Sequence, residues 1–515
     1  MREWLKISLL LCTFGFFREM RPSEPFVTEF LSGEWRDITP EQLNRDVYPI
    51  GTYTYLAVLI VVFLVTDILR YKSIIIFSAC VGIVIYSLLL WTTSLAALQV
   101  VQVLYGTFMA TEVAYYTYIY AKISRDRYQQ VTGNTRAAIL SGRFLASVVG
   151  QTLVSTGTMD LRQLNYITLG AQAFSLLWSF VLPAVKSSVY FYHDANDDGQ
   201  DKADDGATRA KEVREEIGSD AATTTVSASV NQKSGDDPLT GSIMAIAGGN
   251  NPALKSDVNP TSTVTSKARS GFSCHRAGHL LWTHFTAAYT NLTVVQWSLW
   301  WSLAMAGFIQ VANYVQLLWQ EINTDQEYLY NGAAEALLTL FGALSAIVAG
   351  YVANRLFERW ALWILTGCSA LQGGLVLYSG FSTNIWAAYA VYILFGVLYM
   401  FMITMASATV AKYLQEDSFG LVFGINTFVA LVFQSILTVV VISESGLALT
   451  PRGQFKVYGG YFLVLAVIYL VPATVSLVRH CMARTKRDSG GDSEGPGQDA
   501  RIDQSHRQDE ASTHF

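Results

Sequence analysis

TYTYLAVLIVVFLVTDILRYKSIIIFSACVGIVIYSLLLW, residues 52–91, decides the fold. It consists of two apolar runs, each about twenty residues long, separated by the charged turn Asp67, Arg70 and Lys72. About twenty apolar residues at the helical rise cross the hydrocarbon layer of a bilayer. The stretch therefore reads as two antiparallel spans joined at one water surface. Similar runs recur at 51–69, 73–93, 134–158, 163–184, 330–353, 361–379, 384–411, 418–442 and 456–478. The chain's 515 residues are 51% hydrophobic and 15% charged, against roughly 25% charged in a soluble domain. The runs are continuous and helix-length, whereas a transmembrane barrel shows short alternating segments. The composition predicts an all-α polytopic membrane protein.

Working outward, twelve spans are predicted: 4–31, 50–69, 73–93, 96–121, 134–158, 162–184, 292–320, 330–353, 360–379, 383–411, 418–442 and 455–478. The first, fourth and seventh contain polar interruptions. Arg70, Lys72, Lys122, Arg125, Arg127, Lys186, Arg355, Arg359, Lys412, Arg479, Arg484 and Lys486 all fall on one side under this count, which predicts both termini in the cytoplasm. The opposite connections, 32–46 and 321–329, are mostly acidic or polar. The expected organisation is a six-helix bundle over 1–185, a largely disordered cytoplasmic loop over 186–276, a second six-helix bundle over 277–478, and a disordered tail over 479–515. The N-terminus resembles a secretory leader but lacks a small-residue cleavage site, so it is read as part of the first span. Within the central loop, DANDDGQDKADD (194–205) has part of the spacing of a calcium loop but ends in Asp205 rather than Glu. Five scattered cysteines define neither a disulfide framework nor a metal cluster. Asn291 begins an N-x-Thr triplet beside a membrane segment on the inferred cytoplasmic side, which argues against glycosylation.

A charge inside a spanning helix is costly unless it is paired, neutralised or faces a cavity. Glu24, Glu29, Glu112 and Glu335 are the acids in question. Pro22 and Pro25 break the first span around Glu24, freeing backbone groups that a cavity can tolerate. In TEVAYYTYIYAKI (111–123), Glu112, Tyr115 and Tyr116 share a helical face, and Tyr118 and Tyr120 follow. A carboxylate beside aromatic rings suits an organic cation, and suits an anion only where the acid is protonated or paired with an arginine. In the seventh span, Trp297, Trp300, Trp301 and Trp319 read as an interfacial belt, and Gln310 and Asn313, with Asn331 of the eighth span, as cavity residues. Arg136 and Arg143 either reach the cytoplasmic surface or pair with acids across the cavity, so Arg136 is read as gating or anchoring. Asp67 and Arg70 read as a cytoplasmic charge network stabilising one state. The chain has no phosphate-cradling loop and no paired-histidine metal motif, so it is read as a non-enzyme without a cofactor. Energy would come from a gradient, through proton coupling or exchange against a counter-anion.

RPSEPFVTEFL (21–31), TYTYLAVLIVVFLVTDILRYK (52–72), TEVAYYTYIYAKI, YNGAAEALLTLFGAL (330–344) and FGLVFGINTFVALVFQSILTVVV (419–441) together resemble the reduced folate and thiamine carrier family. The resemblance covers nearly all the spans. It implies a major facilitator superfamily fold of twelve transmembrane helices in two six-helix bundles that rock about a central vitamin site. Three positions are similar to the thiamine branch. Glu112 matches the acid that recognises an aminopyrimidine, where folate carriers have a basic residue near Val113. Gln434 stands where a folate carrier is expected to have lysine, and Gly396 where it has a basic residue. Gly51 departs from the pattern, because thiamine carriers have a stacking tryptophan there. The substrate-binding residues implied are Glu24, Glu112, Tyr115, Tyr116, Asn313 and Glu335. The expectation is uptake of thiamine or a thiamine-like cation by a multi-pass plasma-membrane protein working by alternating access. Its partners are the vitamin and the lipid bilayer, with no nucleic acid and no obligate protein partner. The alternatives are a reduced folate transporter and a membrane nutrient receptor that binds without transport.

Overall fold

A computed structural model describes residues 3–69, 71–123, 128–184, 282–283, 285–324, 329–352, 356–414 and 419–490. Before the central segment the helices are α1 (Glu3–Arg18), α2 (Val27–Leu31), α3 (Tyr48–Ile68), α4 (Lys72–Trp91), α5 (Leu95–Ala110), α6 (Glu112–Lys122), α7 (Tyr128–Ser155) and α8 (Leu161–Ser179). After it come α9 (Leu292–Ile322), α10 (Asn331–Val352), α11 (Leu356–Phe381), α12 (Ile385–Lys412), α13 (Phe419–Val441) and α14 (Pro451–Gly490). Among the described residues, nine helices are long and apolar enough to cross a membrane.

The three other expected spans fall short of that standard for visible reasons. The first is cut where Arg18 and Glu19 meet the turn containing Pro22, with Glu24–Phe26 forming one 3-10 turn before α2. The fourth is cut at Thr111 into α5 and α6. Thr111 Oγ1 lies 2.7 Å from both Ser78 Oγ and the Phe108 carbonyl, giving that carbonyl a partner at the break. The sixth, α8, is continuous but carries Arg162, Asn165 and Gln172. The central loop 186–276, its calcium-like stretch and Arg70 lie outside the described residues. α14 runs on to Gly490, past the expected start of the tail.

Local chemistry sets several helix ends. Ser94 Oγ accepts from Ala97 N at 3.3 Å to start α5, and Asn384 Oδ1 accepts from Trp386 N at 2.9 Å to start α12. Asn291 does the same for α9 through Thr293 N at 2.9 Å, so its side chain is committed as a cap. At the other end of α4, Arg36 Nη2 donates to the Leu89 and Thr92 carbonyls at 2.5 and 2.9 Å, and Arg162 Nη2 to Leu90 O at 2.9 Å. Burial, then the nearby Arg162 charge, lowers Arg36 to about 10, which leaves it charged at neutral pH.

α1 packs on α7 and α8, α3 on α5, and α4 on α8; in the later part α10 packs on α12, α11 on α14, and α9 on α12, α13 and α14. The two parts meet through α7 with α10 and α3 with α13. Glycine permits two close approaches. A Cβ on Gly150 would stand 2.5 Å from Pro22 O, and one on Gly106 would stand 2.7 Å from Gly51 O. The tryptophans of α9 correct the expected interfacial belt: Trp297, Trp300, Trp301 and Trp319 are all buried in the core. Trp300 Nε1 reaches Ser369 Oγ at 2.9 Å, an internal partner of the kind that makes a buried indole tolerable.

Candidate functional site

Among the described residues, the end of α1 carries a densely charged interior cluster. Where the helix stops, Gln172 Nε2 donates to the freed Arg18 carbonyl at 2.9 Å. Glu19 then points inward among three arginines. Its Oε2 lies 2.7 Å from Arg21 Nη2 and 2.8 Å from Arg143 Nη2, and its Oε1 lies 3.3 Å from Arg18 Nη1. Arg21 continues to Glu24 Oε1 at 3.0 Å, and Tyr105 donates its hydroxyl to the same oxygen at 2.8 Å. Arg18 lies 3.9 Å from Glu112 Oε2, with its guanidinium 4.3 Å from the Phe108 ring centre. Three guanidiniums and three carboxylates thus share one cluster.

Exposure divides the cluster into a sealed layer and an open one. The side chains of Arg18, Glu19 and Arg21 are 3–4% exposed, whereas Glu112 is 29%, Glu24 35% and Arg143 44% exposed. Glu19 is the internal counter-ion that makes three buried or half-buried arginines affordable. Glu24 and Glu112 present what remains of their acceptor capacity outward, and Glu112, held only at 3.9 Å, is the less committed of the two.

The tyrosine stripe resolves into separate roles. Tyr115 is buried and donates its hydroxyl to Leu11 O at 2.6 Å, locking α6 against α1. Tyr116 is partly buried, with its ring 5.6 Å from that of Tyr115 and edge-on to it. Tyr118 is buried and donates to Pro183 O at 2.7 Å. The side chain of Tyr120 lies outside the described ones. Glu112 and Tyr116 therefore stay together at a partly open surface, and Tyr115 stands behind them.

Across from this cluster the later helices present one carboxyl and several amides. Glu335 of α10 accepts from Tyr392 OH at 2.8 Å. Gln316 of α9 donates to Glu24 O and accepts from Thr28 N, both at 3.1 Å, and Gln320 donates to Ser32 Oγ at 2.9 Å. Asn331 Nδ2 donates to Glu29 Oε1 at 2.9 Å and its Oδ1 accepts from Tyr389 OH at 2.7 Å. Gln454 Nε2 reaches Asn44 Oδ1 at 2.9 Å. These bonds lace residues 24–44 to the later half of the chain.

Asn313 is exposed on α9, and Arg136 is exposed on α7. Asp67 sits in the last turn of α3 with its side chain outside the described ones. Gly396 is buried, and a Cβ there would lie 2.5 Å from Leu338 Cδ1, so no larger side chain fits unless Leu338 moves. Gln434 is buried with its Nε2 3.4 Å from Thr52 Oγ1. A Cβ on Gly51 would stand 2.6 Å from Gln102 Oε1, so Gln102 occupies the space into which a side chain at 51 would project. Arg18, Glu19 and Arg21 escaped the sequence reading, although FREMRPSEP (17–25) carries alternating charges inside an apolar span. Among the described residues no group of three or more His, Cys, Asp or Glu is placed to hold a metal ion.

The described residues form a multi-pass helical protein with breaks in two spans and acidic and basic side chains at the breaks. Its fold is related to that of major facilitator transporters: the crystal structure of the POT family transporter PepTSo superposes with a TM-score of 0.59 at 11% identity, covering 93% of this chain and 99% of that one. The chain belongs to the reduced folate carrier family, whose model matches residues 2–457. It is 36% identical to human thiamine transporter 2 over 483 residues, covering 91% of this chain and 90% of that protein. It is 33% identical to the human reduced folate transporter over 487 residues, covering 93% of this chain and 74% of that protein. Membership makes it a carrier rather than an enzyme.

Proposed function

We propose that the chain takes up thiamine, or a thiamine-like organic cation, across the plasma membrane by alternating access. In this reading twelve spans form two six-helix bundles, over 1–185 and 277–478, joined by the cytoplasmic loop 186–276 and followed by the cytoplasmic tail 479–515. Three of the twelve are the broken or less apolar helices α1 with α2, α5 with α6, and α8. Residues 32–46 then face outside, and the hydrogen bonds joining residues 24–44 to α9, α10 and α14 close the outer side.

The observation that carries the substrate assignment is Glu112: a partly exposed carboxylate at a helix break, 3.9 Å from its arginine, with Tyr116 beside it. A ring bearing an amine and a positive charge would donate to Glu112 and lie against Tyr116, with Glu24 offering a second acceptor. Tyr115 supports that wall from behind, and Asn313 and Glu335 with Tyr392 would meet the substrate from the other bundle. Buried Gly396 and Gln434 supply no positive charge for a dicarboxylate. Asp67, Arg70 and Arg136 serve gating or anchoring at the cytoplasmic side, and a proton or a counter-anion supplies the coupling.

Reduced folate is the second reading, and one observation favours it: Glu24 and Glu112 each have an arginine partner, and Arg143 is half exposed beside them. Uptake of labelled thiamine and labelled reduced folate by cells expressing the chain decides between the two. Saturable thiamine uptake that Glu112→Gln abolishes at unchanged surface level is the expected result. Folate uptake without thiamine uptake would overturn it, and thiamine binding without flux would indicate a receptor.

A further inference from the structure

Where α2 meets α9, α10 and α12, three buried polar atoms have no hydrogen-bond partner: Glu29 Oε2, Trp319 Nε1 and Gln320 Oε1. All three side chains line one small cavity, together with Asn331 and Tyr389. A lone orphan of this kind is uncommon, and three around one space form a complementary set of two acceptors and one donor. A single water accepting from the Trp319 N–H and donating toward Glu29 and Gln320 would satisfy it.

Water alone leaves an ionised Glu29 poorly compensated. Oε1 accepts one N–H, from Asn331 at 2.9 Å, and no lysine, arginine or histidine among the described residues pairs with the group. Glu19, equally buried, has three arginines. The ionisable groups around Glu29 are engaged elsewhere. Tyr48 of α3 is 2.8 Å from Thr28 Oγ1, and Tyr389 of α12 donates to Asn331 Oδ1 at 2.7 Å. On α10, Glu335 is bonded to Tyr392, and on α9, Glu321 pairs with Arg452 at 3.5 Å. Glu24, just before α2, is bonded to Arg21 and Tyr105. Adding one proton to Glu29 Oε2 changes the set: the new O–H donates to Gln320 Oε1, directly or through the water, and the carboxyl no longer carries a buried charge.

We propose that Glu29 is a proton-binding latch, protonated while α2 is joined to α9 and α10 and ionised when the junction opens. On closing, an external hydronium gives its proton to Oε2 and leaves as water; on opening, the carboxyl is wetted and returns the proton to water. The Tyr330 N–H to Tyr389 O–H to Asn331 chain, at 3.3 and 2.7 Å, holds the acceptor side in register. Acid outside therefore favours the closed junction and alkali the open one, with a limit of about tenfold per pH unit for one proton. The inference rests on the orientation that puts residues 32–46 outside.

Ser32 marks the junction, since its Oγ accepts from Gln320. In intact cells expressing the full chain with Ser32→Cys, the rate of labelling by a membrane-impermeant maleimide, in excess of the chain without that substitution and taken throughout as its ratio to the rate for a free cysteine peptide at the same pH so that the ordinary growth of thiolate cancels, should accelerate as external pH rises from about 5 to about 8. Glu29→Gln, whose amide supplies the same donor without titrating, should make the rate slow and flat with pH. Gln320→Leu, which removes the proton's acceptor, should move the rise toward acid pH. A pH-independent rate with Glu29 intact, or an undiminished rise in Glu29→Gln, overturns the latch; if Glu29→Gln does not reach the surface, an unmoved rise in Gln320→Leu overturns it. No substrate is used, so a chain that fails to carry thiamine leaves the result readable.

Discussion

Glu19 and Glu29 are both buried carboxylates on the first broken span, and they solve the same electrostatic problem in opposite ways. Glu19 is surrounded by Arg18, Arg21 and Arg143 at 2.7–3.3 Å. Glu29 meets one amide N–H, from Asn331, and sits in a junction otherwise built from amides, hydroxyls and phenols. An ionic cluster sealed from water is strongly destabilised when one member is taken away, whereas neutral hydrogen bonds exchange with water at little net change. The cluster is therefore suited to a part that keeps its shape through a transport cycle, and the junction to one that is made and broken in every cycle.

The largest expected effect comes from breaking the first half of that contrast. Glu19→Ala leaves three arginines around an empty position and should cost about 3–5 kcal/mol, seen as loss of surface expression and a lowered unfolding temperature in detergent. Glu19→Gln should fall between the two, since an amide can still accept from one arginine. An expression level equal to that of the parent chain would mean that water already compensates the arginines. Next in size is Glu112→Gln, which lies on the open side of the cluster. Losing a charge-assisted bond to a cationic substrate, worth about 1.5–3 kcal/mol, should lower thiamine uptake by about one to two orders of magnitude, with folding unchanged because Glu112 holds Arg18 only at 3.9 Å.

Gln316→Leu sharpens the other half. Its amide spans the two parts of the chain, donating to Glu24 O and accepting from Thr28 N. Leucine takes from Thr28 N its side-chain acceptor and leaves Glu24 O with the Val27 N–H alone, which should weaken the closed junction by about 1–3 kcal/mol. The readout is faster maleimide labelling at Ser32→Cys, with no change in unfolding temperature comparable to that of Glu19→Ala.

The apolar runs made most helices legible, because burial in lipid demands length and continuity that a sequence displays directly. The break around Pro22 and Pro25 was legible for the same reason, and the pairing of Arg143 with an acid was one of two alternatives: a proline or a charge in that setting has few tolerable solutions. Tyr115 was not. Its spacing put it beside Glu112, but the rotation of α6 against α1 gives its hydroxyl to Leu11 O, and helix rotation is fixed by packing that no local pattern encodes. The tryptophans of α9 failed likewise, since belt and core use the same residue and only the neighbouring helices distinguish them. Arg18 and Glu19 were visible in FREMRPSEP, but the prolines beside Glu24 marked the break there, and nothing local shows that the charges one turn earlier meet Arg143 across the bundle.

The smallest effect tests whether charge as such explains the contrast or only charge sealed from water. Arg45 and Glu41 form an ion pair at 3.2 Å on the connection before α3, with side chains 28% and 70% exposed. The groups are the same type as those at Glu19, and the distance is similar. Water competes for both partners here, and Arg45 keeps a second acceptor in Ala448 O at 3.3 Å. Glu41→Gln should therefore change stability by no more than about 0.5 kcal/mol, within the scatter of an unfolding measurement, and any effect should fade as salt is raised from low to physiological strength. A loss comparable to that of Glu19→Ala would show that the connection before α3 is held by ion pairing, and would move the boundary between the fixed and the exchangeable parts of the carrier to that connection.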